Sequence, residues 1–285
     1  MRVVNSEFLI EIDLAPVKTW QNIQGDVADK VILKTEWQGG DYKIYEWRLG
    51  GETGEKISND YPINKHLTVY AVTNYAKFNL DSTETKIELT SDGKGYTGDK
   101  PKGKIIIPDE ITEIEGTDYW NRGAFYGCAE ITSVQLPQSL TTIGSRAFQD
   151  CTGLTSLDLS GCTSLTGIGS HAFWDCTGLT SLDLSAYTSL TTIGGGAFDG
   201  CTGLTSIRLP ASLTQIGSGA FYGCTGLTSA AFADKEGWKV YDNDSYSGTP
   251  TSINSSNLAD ASKAATYLLE RSDDGGYCNK WWKKN

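Results

Sequence analysis

The chain has 285 residues, which is enough for about two domains with buried cores. Hydrophobic residues make up 39% of it and aromatic residues 11%, a composition that excludes a disordered chain. Its 35 acidic and 24 basic side chains give a formal net charge of −11, which argues against binding to nucleic acid or to anionic lipid.

The first 80 residues have the pattern of a small α+β domain. Apolar residues recur at helical spacing over 17–32, and a Gly-rich turn covers 50–54. Short runs rich in β-branched and aromatic residues predict three strands, at 8–14, 42–49 and 67–72.

Part of this segment resembles a known surface-protein module. The runs Tyr45-Glu46-Trp47-Arg48-Leu49 and Leu67-Thr68-Val69-Tyr70-Ala71 are similar to the Listeria–Bacteroides (internalin B-type) repeat. The resemblance implies a β-grasp-like N-terminal module over 1–80. The polar segment 81–103 is then the predicted junction to the next domain.

A repeat organises the middle of the chain. The pair Ala-Phe occurs five times, each time followed three residues later by a cysteine and then by a leucine-rich run. In these runs apolar and polar residues alternate, which is typical of a strand with one buried face. The spacings of 23 and 25 residues predict a leucine-rich-repeat solenoid with a parallel sheet. The cysteines of the repeat are Cys128, Cys151, Cys176, Cys201 and Cys224.

Units such as 143–154, with the sequence IGSRAFQDCTGL, resemble the BspA-type leucine-rich repeats of bacterial cell-surface proteins. The resemblance covers residues 104–233. The last segment, 234–285, is predicted to cap the open apolar end of the solenoid. It contains one predicted helix over 257–271 and the pair Trp281-Trp282, which we expect to complete the cap.

The seven cysteines divide into two groups. The five in the repeat are expected to point into the core and to be inert there. Cys162 lies in a lengthened turn, where the next unit has Tyr187, and Cys278 lies in the cap. We expect these two thiols to be exposed or reactive, and a disulfide between them is possible.

Little in the sequence points to catalysis. There is no C-x-x-C pair, phosphate-binding loop or zinc-protease motif, so no metal or cofactor is predicted. His66 and His171 are the only histidines, and His171 occupies a position that varies between units. We therefore predict that the protein is not an enzyme, with His171 on a tolerant part of the surface.

The candidate partner-binding residues are those that vary between the fixed positions of the repeat. One series lies on the strands. The other comes directly after the phenylalanines of the repeat, and its large aromatic residues serve either as binding anchors or as packing against the next unit. The candidates are Gln135, Asp158, Asp183 and Arg208 in the first series, and Tyr126, Trp174 and Tyr222 in the second.

The BspA-type resemblance implies a secreted or cell-surface protein that binds a protein partner, as an adhesin does. That partner is a host extracellular-matrix protein or another cell surface. A structural or display element of the cell envelope and a glycan-binding module that uses the tryptophans are the alternatives. No apolar run reaches the roughly 18 residues of a transmembrane helix. The chain shows no signal peptide, and we expect that its export segment has been removed.

Overall fold

The computed structural model describes the backbone of residues 2–3, 9–14, 43–49, 56–57, 67–74, 77–78, 82–83, 86–91, 93–97, 100–107, 110–118, 123–158 and 162–284. Side chains are described from residue 82 onwards, except those of Thr97 and Asp158. The chain divides into two compact units, Met1–Lys77 and Phe78–Asn285. The domain boundaries expected at residues 80, 103 and 233 stay predictions.

The first unit contains an antiparallel sheet whose described strands have the order β1-β2-β5-β3-β4. All three strands predicted for this segment are present. The predicted helix over 17–32 and the turn over 50–54 lie outside the described residues, so the β-grasp-like module stays a prediction. The strands are β1 (Arg2–Val3), β2 (Leu9–Leu14), β3 (Lys43–Leu49), β4 (Lys56–Ile57) and β5 (Leu67–Asn74).

The second unit is a β-solenoid, in which each turn contributes short strands to stacked parallel sheets. Its strands begin within the predicted junction. The strands of the remaining chain are β6 (Lys77–Phe78), β7 (Lys86–Ile87), β8 (Tyr96–Thr97), β9 (Gly103–Ile106), β10 (Glu113–Ile114), β11 (Ile131–Gln135), β12 (Thr142–Ile143), β13 (Ser156–Asp158), β14 (Gly167–Ile168), β15 (Ser181–Asp183), β16 (Thr192–Ile193), β17 (Ser206–Leu209), β18 (Gln215–Ile216), β19 (Ser229–Phe232), β20 (Trp238–Tyr241), β21 (Thr251–Ser252) and β22 (Trp281–Lys284).

The strands pair in the register of the sequence repeat. One parallel run has the order β7-β10-β12-β14-β16-β18, and equivalent isoleucines such as Ile143 and Ile168 lie opposite each other. The leucine-rich runs form two further parallel sheets, β9-β11-β13 and β15-β17-β19. Apart from half-buried Leu157, the apolar residues of these runs are buried, and the described polar residues between them are half-buried or exposed, as the alternation predicts.

A stack of phenylalanine rings runs along the core. Neighbouring rings are nearly parallel, and their centroids lie 4.9 to 5.4 Å apart. Tyr96 adds a sixth ring at the N-terminal end, 6.4 Å from Phe125. Each ring is buried by its neighbours in adjacent turns, so no single turn could bury its own. The stacked phenylalanines are Phe125, Phe148, Phe173, Phe198 and Phe221.

The cysteines of the repeat form a second column beside the rings. Each thiol, from the second unit onwards, donates a hydrogen bond to the phenylalanine carbonyl of the preceding unit. The Sγ to oxygen distances are 3.0 to 3.2 Å, as between Cys151 and Phe125 or between Cys224 and Phe198. The thiols therefore join successive turns as well as filling space.

The expectation that Cys162 is exposed is wrong. Cys162 and its counterpart Tyr187 are both buried, with exposures of 0% and 3%. The turns that carry them are longer, and their extra length brings a side chain into the core between the two strands of the unit. Ser212 Oγ, in the following shorter turn, donates to the Tyr187 carbonyl.

The C-terminal segment covers the last turn. The predicted single helix is divided into α1 (Ser255–Ala259) and α2 (Ala261–Leu269), because Asp260 has extended backbone angles and caps α2 through Ser262 N–H and Lys263 N–H. A short 3-10 helix, Ser272–Asp274, follows. The buried residues of the two helices are Leu258, Ala264, Ala265, Tyr267 and Leu268.

Strand β22 completes the cap by pairing antiparallel with both β18 and β20. Trp282 is buried there against Phe232 and Trp238, which confirms a structural role for this tryptophan. Lys284 forms an ion pair with Asp234. The end of the parallel ladder is thus covered by a strand of opposite direction.

Phe173→Ala should lower the free energy of unfolding by about 3–5 kcal/mol, because the ring lies between two others and leaves a cavity in a fully buried stack. Urea unfolding followed by circular dichroism measures this. Thr177→Ala is the control, since Thr177 is exposed, and should change the value by less than about 0.5 kcal/mol. Equal effects of the two changes would contradict the central role of the stack.

Candidate binding surfaces

The first candidate surface, the strand row, consists of Gln135, Asp158, Asp183 and Arg208. Parallel register puts Gln135 opposite Asp158 and Asp183 opposite Arg208. Asp183 and Arg208 are exposed and Gln135 is half-buried, whereas the side chain of Asp158 lies outside the described residues. The residues of the strand row therefore lie on strands whose backbone is held by main-chain hydrogen bonds, and not on loops.

Asp183 and Arg208 form a loose ion pair at the surface. Arg208 Nε lies 3.8 Å from Asp183 Oδ2, and 60% of the aspartate side chain and 69% of the arginine side chain are exposed. The other oxygen, Oδ1, accepts hydrogen bonds from the N–H and hydroxyl of Ser185. These bonds, followed by the charge of Arg208, lower the pKa of Asp183. Both charged groups can still reach a partner.

The second candidate surface, the turn row, consists of Tyr126, Trp174 and Tyr222. Its members have different surroundings. Half-buried Tyr126 hydrogen-bonds to Asp150, and burial followed by that carboxylate raises the pKa of the tyrosine. Half-buried Trp174 lies 5.3 Å from the His171 ring and 5.8 Å from the Arg146 guanidinium. Tyr222 is the most exposed, at 44%.

From the unit of Arg146 onwards, each repeat turns through two left-handed residues beside the turn row. The first position holds Arg146, His171, Gly196 and Gly219, with φ of 57–70°. The second holds either glycine or aspartate, because aspartate tolerates this conformation better than most residues. Variation at the first position therefore reflects a backbone constraint as well as surface tolerance.

His171 is more enclosed than expected. It is half-buried, and its ring lies directly over Gly196, where an added Cβ would come within 2.7 Å. Burial, followed by the charge of Arg146, lowers its pKa, so the imidazole is neutral at pH 7. The ring thus packs between successive turns.

Sequence reasoning missed the electrostatic state of Asp199. Burial, followed by repulsion from Asp175 in the preceding unit, raises the pKa of Asp199 to about 6. Burial and the charge of Asp150 likewise raise the pKa of Asp175. The pairing of successive turns brings Asp175 and Asp199 together, because the Asp175 N–H donates a hydrogen bond of 2.8 Å to the Asp199 carbonyl. The signal in the sequence for this raised pKa was the presence of aspartates at adjacent positions of successive repeats.

A pocket of about 350 Å³ lies where the last turns of the solenoid meet the cap. His171, Asp199 and Tyr222 line it from the repeat side. Arg271, Asn279 and Trp281 line it from the cap side. The Arg271 guanidinium lies 5.5 Å from the centroid of the Tyr222 ring. This pocket joins segments that are distant in sequence, and sequence reasoning did not find it.

All seven cysteines are buried as free thiols, which corrects the expectation that Cys278 is exposed. Burial raises the pKa of Cys128 and Cys278 to about 11 and that of Cys162 to about 12. Within the described ranges, no three His, Cys, Asp or Glu side chains are grouped so that they could hold a metal ion.

The native protein should therefore show almost no fast-reacting thiol at pH 8, where a thiol with a pKa of about 11 is ionised in roughly one molecule in a thousand. A titration with a chromogenic disulfide should count seven thiols only after denaturation. Two rapidly reacting thiols in the native state would restore the original expectation for Cys162 and Cys278.

Asp199→Asn should stabilise the protein at pH 7.5 but not at pH 4. The folded-state pKa is raised, so ionisation destabilises the fold; this penalty is complete above about pH 6 and is lost as the pH falls below about 4. After allowance for solvent screening we expect about 1 kcal/mol, or 2–4 °C in melting temperature.

Thermal melts at the two pH values measure this difference. Asp183→Asn is the control, because the pKa of Asp183 is lowered and removal of its charge should not stabilise the protein. An equal gain from Asp199→Asn at both pH values would contradict the electrostatic origin.

The described part of the chain contains no helix that is both long and apolar enough to cross a membrane. Residues 118–248 match the BspA type Leucine rich repeat region, in six copies. No curated protein sequence matches the chain.

Several solved bacterial structures are similar to it. The T. pallidum Leucine Rich Repeat protein is 31% identical over 55% of this chain and 68% of that one, with a TM-score of 0.45. A leucine-rich repeat protein from Bacteroides ovatus is 31% identical over 45% and 36%, with a TM-score of 0.38. A leucine rich cell surface protein from Faecalibacterium prausnitzii is 23% identical over 59% and 55%, with a TM-score of 0.30. The chain thus spans only part of each of them. Residues 118–248 of the chain are thus a BspA-type leucine-rich-repeat region.

Proposed function

We propose that the protein is a non-catalytic, adhesin-like binding protein whose solenoid holds a protein partner. The observation that carries the proposal is the strand row, where Gln135, Asp183 and Arg208 present side chains of different chemistry at equivalent positions of a hydrogen-bonded scaffold. Because their backbone is already ordered, binding there costs little conformational entropy.

The charges of the strand row suggest how the partner is selected. Asp183 already accepts two hydrogen bonds from Ser185, so its carboxylate is held in place while Arg208 lies at 3.8 Å. A partner with complementary charges can replace the loose ion pair by closer ones. The net charge of −11 favours a partner whose contacting patch is neutral or basic.

The turn row is proposed as a second contact surface. Tyr222 is the most exposed of its aromatic residues, whereas Tyr126 and Trp174 are half-buried. Tyr126 lies beside Asp150 of the next unit, and Trp174 lies beside Arg146 of the preceding one. Trp174 and Tyr126 therefore contribute mainly shape and support there, and Tyr222 is the anchor.

We propose a secreted or cell-surface location, with the repeat family as the support. The partner is then a host extracellular-matrix protein or a protein of another cell surface. A structural or display role in the cell envelope is the alternative, and it requires no saturable partner. A test for saturable binding therefore distinguishes the adhesin-like role from the structural or display role.

Immobilised intact chain should capture a saturable component from solubilised host extracellular matrix or serum. Reversal of both charges of the pair, by Asp183→Arg with Arg208→Glu, should weaken capture at least tenfold, since it replaces attraction by repulsion at two exposed points. Surface plasmon resonance measures the change.

Thr205→Ser is the matched control, because Thr205 is exposed close to Arg208 and keeps its hydroxyl after the change. It should leave capture intact. Saturable capture that survives the double charge reversal would overturn the choice of the strand row, and lack of saturable capture by the unchanged protein would favour the structural alternative.

A further inference from the structure

The pocket between the last repeats and the cap has a specific origin in the repeat. The first left-handed position carries a large side chain in the second and third units, Arg146 and then His171. Arg146 is only 6% exposed and fills its place beside Trp174. The same position holds Gly196 and Gly219 in the last two units. The side chains therefore become smaller towards the cap, and a cavity remains where they are missing.

The walls of this cavity combine aromatic and polar groups. Trp281 reaches over Gly195, where an added Cβ would lie 3.7 Å from the indole ring, and Tyr222 provides an exposed ring on the repeat side. Such rings pack against the weakly positive C–H groups of a ligand. Asp199 offers an acceptor, and Arg271 and Asn279 offer donors.

The charges around the pocket exclude several kinds of ligand. Glu270, Asp274 and Asp199 all act on the Cys278 thiol in its wall, whereas Arg271 is the one cation that does so among the described residues. An anion would thus meet mainly negative charge. An organic cation would meet the guanidinium of Arg271 in the pocket wall. Cys278 itself is a buried, protonated thiol and offers no nucleophile.

A neutral ligand that has apolar faces and many hydroxyl groups satisfies these conditions. Pyranose sugars have both features: their C–H groups can lie on Trp281 or Tyr222 while hydroxyls donate to Asp199 and accept from Arg271. A volume of about 350 Å³ is at the lower end of the range for ligand pockets and suits one or two sugar rings.

We propose that this pocket is a carbohydrate-binding site that takes one or two pyranose rings of a neutral sugar. Trp281 and Tyr222 supply the stacking surfaces, and Asp199, Arg271 and Asn279 bind the hydroxyls. The site goes beyond the proposed protein-binding function. It shares Tyr222 with the turn row, but it does not depend on that function, because none of its residues belongs to the strand row that carries it.

The test is isothermal titration of the intact chain with glucose, galactose, mannose, N-acetylglucosamine and their β-linked disaccharides. At least one should bind saturably, with a Kd of about 10 µM to 1 mM, as expected for ligands of this size. Titration with n-butylammonium chloride serves as the probe for a cation site. Absence of saturable sugar binding, or tighter binding of the ammonium, overturns the proposal.

Gly219→His should fill the pocket and weaken sugar binding at least tenfold. An added Cβ at Gly219 meets no atom closer than 3.9 Å, and His171 has the same left-handed conformation at the equivalent position. Gly248→His is the matched control, since Gly248 has φ of 89° and open space around it but lies outside the pocket. It should keep full affinity.

Tyr222→Ala is a second test that does not depend on tolerance of the glycine change, because Tyr222 is exposed and its loss leaves the core intact. It should weaken binding about tenfold, the effect of losing one aromatic contact. Circular dichroism and melting temperature verify that each variant is folded. Unchanged affinity in folded Gly219→His or Tyr222→Ala overturns the assignment of the sugar to this pocket.

Discussion

The stacking of equivalent residues in successive turns is the constraint on which the whole solenoid depends. Each inner phenylalanine ring of the stack is covered on either side by a ring of an adjacent turn, at 4.9 to 5.4 Å. The free energy of burial is therefore available only when neighbouring turns follow the same path. The thiol-to-carbonyl bonds, such as Cys176 to Phe148, have the same requirement, since donor and acceptor belong to different turns.

A common backbone path limits which residues can occupy each turn while leaving their outward side chains free to vary. Two left-handed positions recur in the units from Arg146 onwards, and glycine, aspartate, arginine and histidine are found at them. Where the residue is large, as at Arg146, it fills the space between turns. At Gly219, where an added Cβ would meet no atom closer than 3.9 Å, the space remains open. The same constraint thus produces both a close-packed flank and, near the cap, a pocket.

Much of the solenoid could be predicted from sequence, because each turn has the same pattern of apolar residues to bury. The phenylalanine and cysteine columns follow from their constant spacing, and the outward position of Asp183 and Arg208 follows from strand alternation. The burial of Cys162 could not be predicted from sequence, since the sequence of a lengthened turn does not determine whether its side chains point into the core or to the surface. The break at Asp260 depends on one capping interaction that competes with helix propensity. The pocket depends on contact between the cap and distant repeats, which no local pattern records.

The cap also determines how copies of this protein can meet. A parallel ladder has an open edge at its last strand, and such an edge can accept the first strand of another molecule and continue indefinitely. Here the edge of β18 is occupied by β22, which runs in the opposite direction, and α2 packs against β19. A second copy therefore finds no continuation of the ladder at this end. The length of the solenoid is set within one chain, and growth into fibres from its C-terminal end is blocked.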